Sequence, residues 1–147
     1  MFTASRSDIY DYLYDLFFGV VTENVYEMKI PDELTSSDTK DGFLVINVGT
    51  GIDNSEFPEE AYGEVRCFVT AYIPKISRGR VNHDIFALFE NGINNVINEA
   101  SENDTQGTFH IEKDNMLSAD GIDGSDADNT FFTFIKSFIV NIESNED

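Results

Sequence analysis

The residues of this chain best placed for chemistry are the carboxylates of Asp120-Gly121-Ile122-Asp123-Gly124-Ser125-Asp126-Ala127-Asp128. Carboxylates separated by glycines can wrap a hard cation in oxygen ligands, and Asp120, Asp123, Asp126 and Asp128 are the ones a calcium site here would use. The spacing fits neither the every-second-position ladder of a helix–loop–helix calcium loop, which closes on a bidentate glutamate, nor a nonapeptide repeat. The segment therefore reads as a solvated acidic loop, and no metal or other cofactor is expected. Gly49-Thr50-Gly51 follows an apolar run, as a phosphate-binding turn would. The third glycine of that motif is missing, no helical pattern follows, and Asp53 and Glu56 come next, where they would repel a phosphate. It reads as a plain turn.

The other reactive residue types are few. Cys67 is the only cysteine, so one chain can build neither a disulfide nor a cysteine metal site. It alternates with Val65 and Val69, which predicts burial rather than reactivity. His83 opens a helical pattern and His110 sits between Phe109 and Ile111 on a short strand. Nothing in the sequence brings the two together as ligands or as an acid–base pair. No serine has a Gly-x-Ser-x-Gly setting. The set predicts a protein that binds or assembles, not an enzyme.

Charge narrows the partners. The 28 acidic residues against 9 basic ones give a formal net charge of −19. Contact with phosphates needs Lys and Arg to displace counterions, so sequence-specific nucleic-acid binding is not expected, and an anionic membrane surface is disfavoured for the same reason. Lys75, Arg78 and Arg80 gather three of the nine bases within six residues. They either balance acidic neighbours or form a docking patch for the acidic surface of a partner, another copy of this chain included. They are the candidate oligomer or partner interface.

The elements that must position these residues follow from periodicity. Ile9, Leu13, Leu16, Phe17 and Val20 recur at helical spacing behind Ser7, a possible cap, with the helix stopping near Gly19. Val25 to Ile30, ended by Pro31, and the apolar run Phe43 to Val48 read as an antiparallel hairpin with a long polar loop. Residues 49 to 62 read as loop. Gly63 to Ile73 is the longest period-two pattern, with Val65, Cys67, Val69, Ala71 and Ile73 on one face, and belongs centrally in the sheet. From a cap at Asn82, Ile85, Leu88, Phe89, Gly92, Ile93, Val96, Ile97 and Ala100 trace one stripe of a helix. A short strand at Thr108 to Glu112, an acidic loop from Asp114 to Asn129 and a strand from Thr130 to Ile142 complete the order, with a frayed acidic tail at Glu143 to Asp147.

The 147 residues, 41% apolar and with 13 phenylalanines and no tryptophan, predict a single domain with an α-β-β-β-α-β-β order. The expected class is α+β, a mainly antiparallel sheet with two helices packed on one face. Met1 to Asp8 show no basic region followed by an apolar run, and no apolar stretch approaches the roughly 20 residues of a membrane helix. A soluble protein of the cytoplasm or of a virion interior is expected.

The opening helix Ile9 to Val21, the Val25-to-Ile30 strand with Pro31, the Phe43-to-Val48 strand and the long Gly63-to-Ile73 strand together form a pattern. With the helix Asn82 to Ala100 and the final Thr130-to-Ile142 strand, this pattern resembles the tail-terminator or tail-completion proteins of long-tailed bacteriophages. The resemblance covers most of the chain and is one of element order; the acidic loops Gly49 to Tyr62 and Asp114 to Asn129 are longer than the pattern requires. It implies a structural role: a homo-oligomeric ring at the head–tail junction that stops tube growth and contacts neck or tail-tube proteins in the host cytoplasm or virion. A negative lumen would then let DNA slide without sticking. Class I type III secretion chaperones, acidic proteins that bind an extended partner segment, have a similar order but close with a helix that is absent after Ile142. A small-ligand or calcium-binding module on a curved sheet is the third possibility.

Overall fold

Ile9, Leu13 and Phe17 form the buried stripe of α1 (Arg6–Phe17), as their spacing predicts, while Leu16 is half-buried and Val20, past the helix end, is exposed. The structure, a computed structural model, describes residues 6–51, 63–76, 80–102, 109–113, 121–125 and 131–142. Because α1 begins at Arg6, Ser7 lies inside its first turn and is not the cap expected. The helix ends at Phe17, where the amides of Val20 and Val21 both donate to the Phe17 carbonyl and close a turn through Gly19.

The expected antiparallel hairpin is contradicted. β1 (Val25–Glu27) lies parallel to β2 (Phe43–Gly51), with Val25 opposite Leu44. The expected continuation to Ile30 fails because Met28 takes a φ of 73°, which breaks the extended chain. The polar connection is not a loop either. Thr35 and Asp38 form a reciprocal capping box that starts α2 (Ser36–Asp41), and a crossover containing a helix returns the chain parallel.

β3 (Gly63–Pro74) is the central strand, in the order β1-β2-β3-β6-β4. Val65, Cys67, Val69, Ala71 and Ile73 are all buried, as the alternation predicts, while Arg66, Phe68, Thr70 and Tyr72 on the other face are half-buried. β6 (Phe131–Ile142) pairs with β3 antiparallel along its whole length. Its other edge is shared end to end by β4 (Phe109–Lys113), opposite residues 138–142, and β5 (Gly121–Ser125), opposite residues 132–135.

β5 corrects the reading of 114–129 as loop throughout. β6 extends past the end of β4 and needs backbone partners there, and a ladder built from backbone groups accepts a glycine-containing segment of poor strand propensity. Residues 49–51 are likewise not a turn. Val48 faces Cys67 and Gly51 faces Val65, so one extra residue bulges inside β2. A Cβ on Gly49 would stand 2.7 Å from the Arg66 carbonyl oxygen, which is why glycine sits there.

α3 (His83–Glu102) begins where expected: the Ile85 amide donates to Asn82 Oδ1 at 3.3 Å. Phe89, Ile93, Val96 and Ile97 are buried, but Leu88 is 60% exposed. The helix is rolled so that Phe86, outside the expected stripe, packs on Phe134 (4.9 Å between ring centroids) and Phe132 (6.0 Å). α1 and α3 cover one sheet face and enclose the main core with β2, β3 and β6. The Val48 amide donates to the Tyr10 hydroxyl at 3.1 Å and fastens α1 to β2 beside the bulge.

A second cluster, Phe43, Val45 and Phe131 with Tyr26, Leu34 and Tyr72, occupies the opposite face. Phe43 and Tyr72 stack at 4.6 Å, and Phe131 meets both edge-on. α2 is tied to this face. The Tyr26 hydroxyl donates to the fully buried Asp38 carboxylate, 2.7 Å from each oxygen, and the Thr35 amide donates to the same group at 2.8 Å. The class is therefore α+β, with a mixed, mostly antiparallel sheet and, among the described residues, three helices where two were expected. Among the described residues no helix is long and apolar enough to cross a membrane.

Candidate functional site

Tyr12, Asp15 and Leu16 stand at i, i+3 and i+4 on α1, and Val96, Glu99 and Ala100 repeat that spacing on α3. Each trio therefore shares one helix face. The two faces, with Val20 and with Phe109 and His110 of β4, line a cavity of about 430 Å³. Its position follows from the packing next to it. A Cβ on Gly92 would stand 3.1 Å from Val21, so the turn after α1 presses close against α3 there. One turn further along α3, at Val96 to Ala100, the space opens.

The cavity has an apolar floor and an acidic rim. Tyr12 and Phe109 contact each other with ring centroids 5.0 Å apart, and burial pushes the Tyr12 phenol above its ordinary pKa. Asp15 and Glu99 are exposed, His110 is half-buried, and Val20 keeps 65% of its surface in solvent. Both helices contribute residues from their C-terminal halves, and neither carries a basic residue in its last turn. The partial negative charge of the helix C-termini therefore adds to the two carboxylates, and the cavity suits a cationic group attached to an apolar one.

The basic connection between β3 and α3 is paired at its two described ends. Lys75 and Val81 form an antiparallel bridge, and the Ile76 amide donates to the Arg80 carbonyl at 2.7 Å. Lys75 is half-buried, Arg80 is exposed, and Ile76 is 62% exposed. Arg78 lies outside the described residues. Lys75 and Arg80 are thus brought together on the two paired ends of the connection, and Ile76 is a member that a charge-based reading missed.

The remaining candidates stay dispersed. Asp123 falls on β5, at the register shift between Ile122 and Gly124, while Asp120, Asp126 and Asp128 lie outside the described residues. Among the described residues no three His, Cys, Asp or Glu side chains are grouped to hold a metal. His83 is exposed in the first turn of α3, at the opposite end of that helix from the cavity that His110 lines. Cys67 is fully buried on β3. Sequence reasoning missed the cavity because its residues come from three elements; the visible sign was a carboxylate between apolar neighbours at matching spacing on both helices. A comparison with protein families finds no model that matches the chain, and a comparison with curated proteins finds no significant relative.

Proposed function

We propose that this chain is a non-catalytic assembly protein that works as a ring of copies. Its role is that of a phage tail-terminator or tail-completion factor at a head–tail junction, in the host cytoplasm or virion, with neck and tail-tube proteins as partners. The observation that supports it is the 75–81 connection, which presents an exposed apolar side chain, Ile76, next to an exposed guanidinium, Arg80, on a chain of net charge −19. An apolar anchor beside an arginine is the composition of an interface hot spot. On a protein so acidic, the surface of another copy is itself a suitable complement.

Light scattering on the purified protein over a range of concentration and salt tests the reading. Closed rings that weaken as salt rises are expected. A dimer that stops at two copies and captures an extended segment would favour the chaperone-like alternative. A strict monomer whose melting temperature rises with calcium would replace both with a cation-binding module.

A further inference from the structure

We propose that the cavity between α1, α3 and β4 is the acceptor for Ile76 and Arg80, on the paired ends of the basic connection of a second copy, so that copies join head to tail. This rests on the assembly reading above and names the two surfaces that would carry it. That connection offers an exposed Ile76 and Arg80; the cavity offers an apolar wall at Val20 and Phe109 under a rim formed by Asp15 and Glu99. The charges are opposite, and both surfaces pair an apolar contact with an ionic one. At about 430 Å³ the cavity falls within the roughly 300–1,000 Å³ of pockets that take an organic group, and a single ion would leave most of it empty.

The placement of the two surfaces makes the contact intermolecular. The connection leads into the N-terminus of α3, and the cavity lies at the C-terminal end of the same helix. Asn82 and Glu99 stand about 25 Å apart along its axis, at roughly 1.5 Å of rise per residue. A rigid helix of that length keeps donor and acceptor of one chain apart. A contact between two different patches is heterologous: it propagates from copy to copy and closes into a ring when the rotation per copy allows.

The test uses the full chain and three exposed positions. Arg80→Glu alone, and Asp15→Lys with Glu99→Lys, should each weaken self-association by roughly tenfold or more, as reversed charges at an interface do. The chain carrying all three substitutions should recover association, because the ionic pairs are re-formed with their signs exchanged. Unaltered far-UV circular dichroism and melting in each variant show that the fold is kept. If the wild type assembles and the Asp15→Lys, Glu99→Lys chain assembles equally well, the acceptor assignment is wrong while the assembly reading stands. Failure of the triple variant to recover what the separate variants lose also rejects the pairing. A wild type that stays monomeric at every concentration removes the assembly reading, and this inference with it.

Discussion

Replacing Tyr26 with Phe tests the least expected part of the fold, the attachment of α2. The Asp38 carboxylate is completely buried and receives the Tyr26 hydroxyl at 2.7 Å and the Thr35 amide at 2.8 Å. Phe keeps the ring and its edge-on contact with Phe43, 5.8 Å between centroids, so the change removes a hydrogen bond and little else. A hydrogen bond to a charged group contributes about 1.5–3 kcal/mol, well above the roughly 0.5 kcal/mol of a neutral surface change. Urea denaturation should show that loss as a lower midpoint with an unchanged slope. The effect also depends on pH. Burial, and then the neighbouring Asp38, push the Tyr26 phenol up to about 12. An unfolded tyrosine ionises near 10, so the contribution is fully present below about pH 10 and is lost as pH rises toward about 12. The difference between wild type and Tyr26→Phe should therefore be constant up to about pH 10 and shrink above it. A penalty below about 0.5 kcal/mol, or one that stays flat from pH 9 to 12, would refute the assignment of this hydroxyl as the donor that holds Asp38.

Three further perturbations address other elements. Gly49→Ala places a methyl 2.7 Å from the Arg66 carbonyl and should cost about 1–3 kcal/mol through strain at the bulge; a thermal midpoint equal to wild type would mean the strands are not so close. Ile93→Ala empties a fully buried position beneath α3 and should lose about 2–5 kcal/mol by chemical denaturation, a smaller loss indicating that the helix can collapse onto the sheet. Replacing Lys75, Arg78 and Arg80 together with Ser should weaken assembly while the circular dichroism spectrum is kept. Assembly that is unchanged at both low and high salt would take the basic connection out of the interface.

What the sequence discloses depends on how far each signal reaches. β3 and α3 are long enough for their periodicity to stand alone, β6 shows as a run rich in Phe and Ile on both faces, and the Asn82 cap is local chemistry that works wherever the helix lies. α2 escapes because Asp38 looks like one more acid in a polar connection; its burial makes sense only once Tyr26, twelve residues earlier, supplies the proton. β5 escapes because Gly121 and Gly124 argue against a strand, and only the unpaired stretch of β6 calls for one. Leu88 and Phe86 exchange roles because a stripe read from spacing fixes the width of a buried face better than its roll angle. The 75–81 connection was legible as a cluster of bases but not as a pair of bridged ends, since the bonds between Lys75-Ile76 and Arg80-Val81 belong to the backbone. The cavity left only the matching carboxylate spacing on two helices as a sign: Asp15 and Glu99 become neighbours of one space only after α1 and α3 have packed.

The dominance of β6 in the sheet has a consequence in time. This strand is the shared neighbour of β3, β4 and β5: β4 and β5 find their place only against residues 131–142, and β3 has one of its two edges there. During synthesis β2 and β3 emerge first and can pair with each other, but one long edge of β3 then waits for its partner. At about 5–20 residues per second, the ribosome needs roughly 3–11 s to travel from Pro74 to Phe131. Through that interval Val65, Cys67, Val69, Ala71 and Ile73 sit on a half-built sheet beside an open edge, the condition under which nascent chains stick to one another. The acidic excess that later shapes the surface, already 14 acids against 4 bases over residues 1–74, acts first as a mutual repulsion between incomplete copies and opposes their association until the last strand arrives.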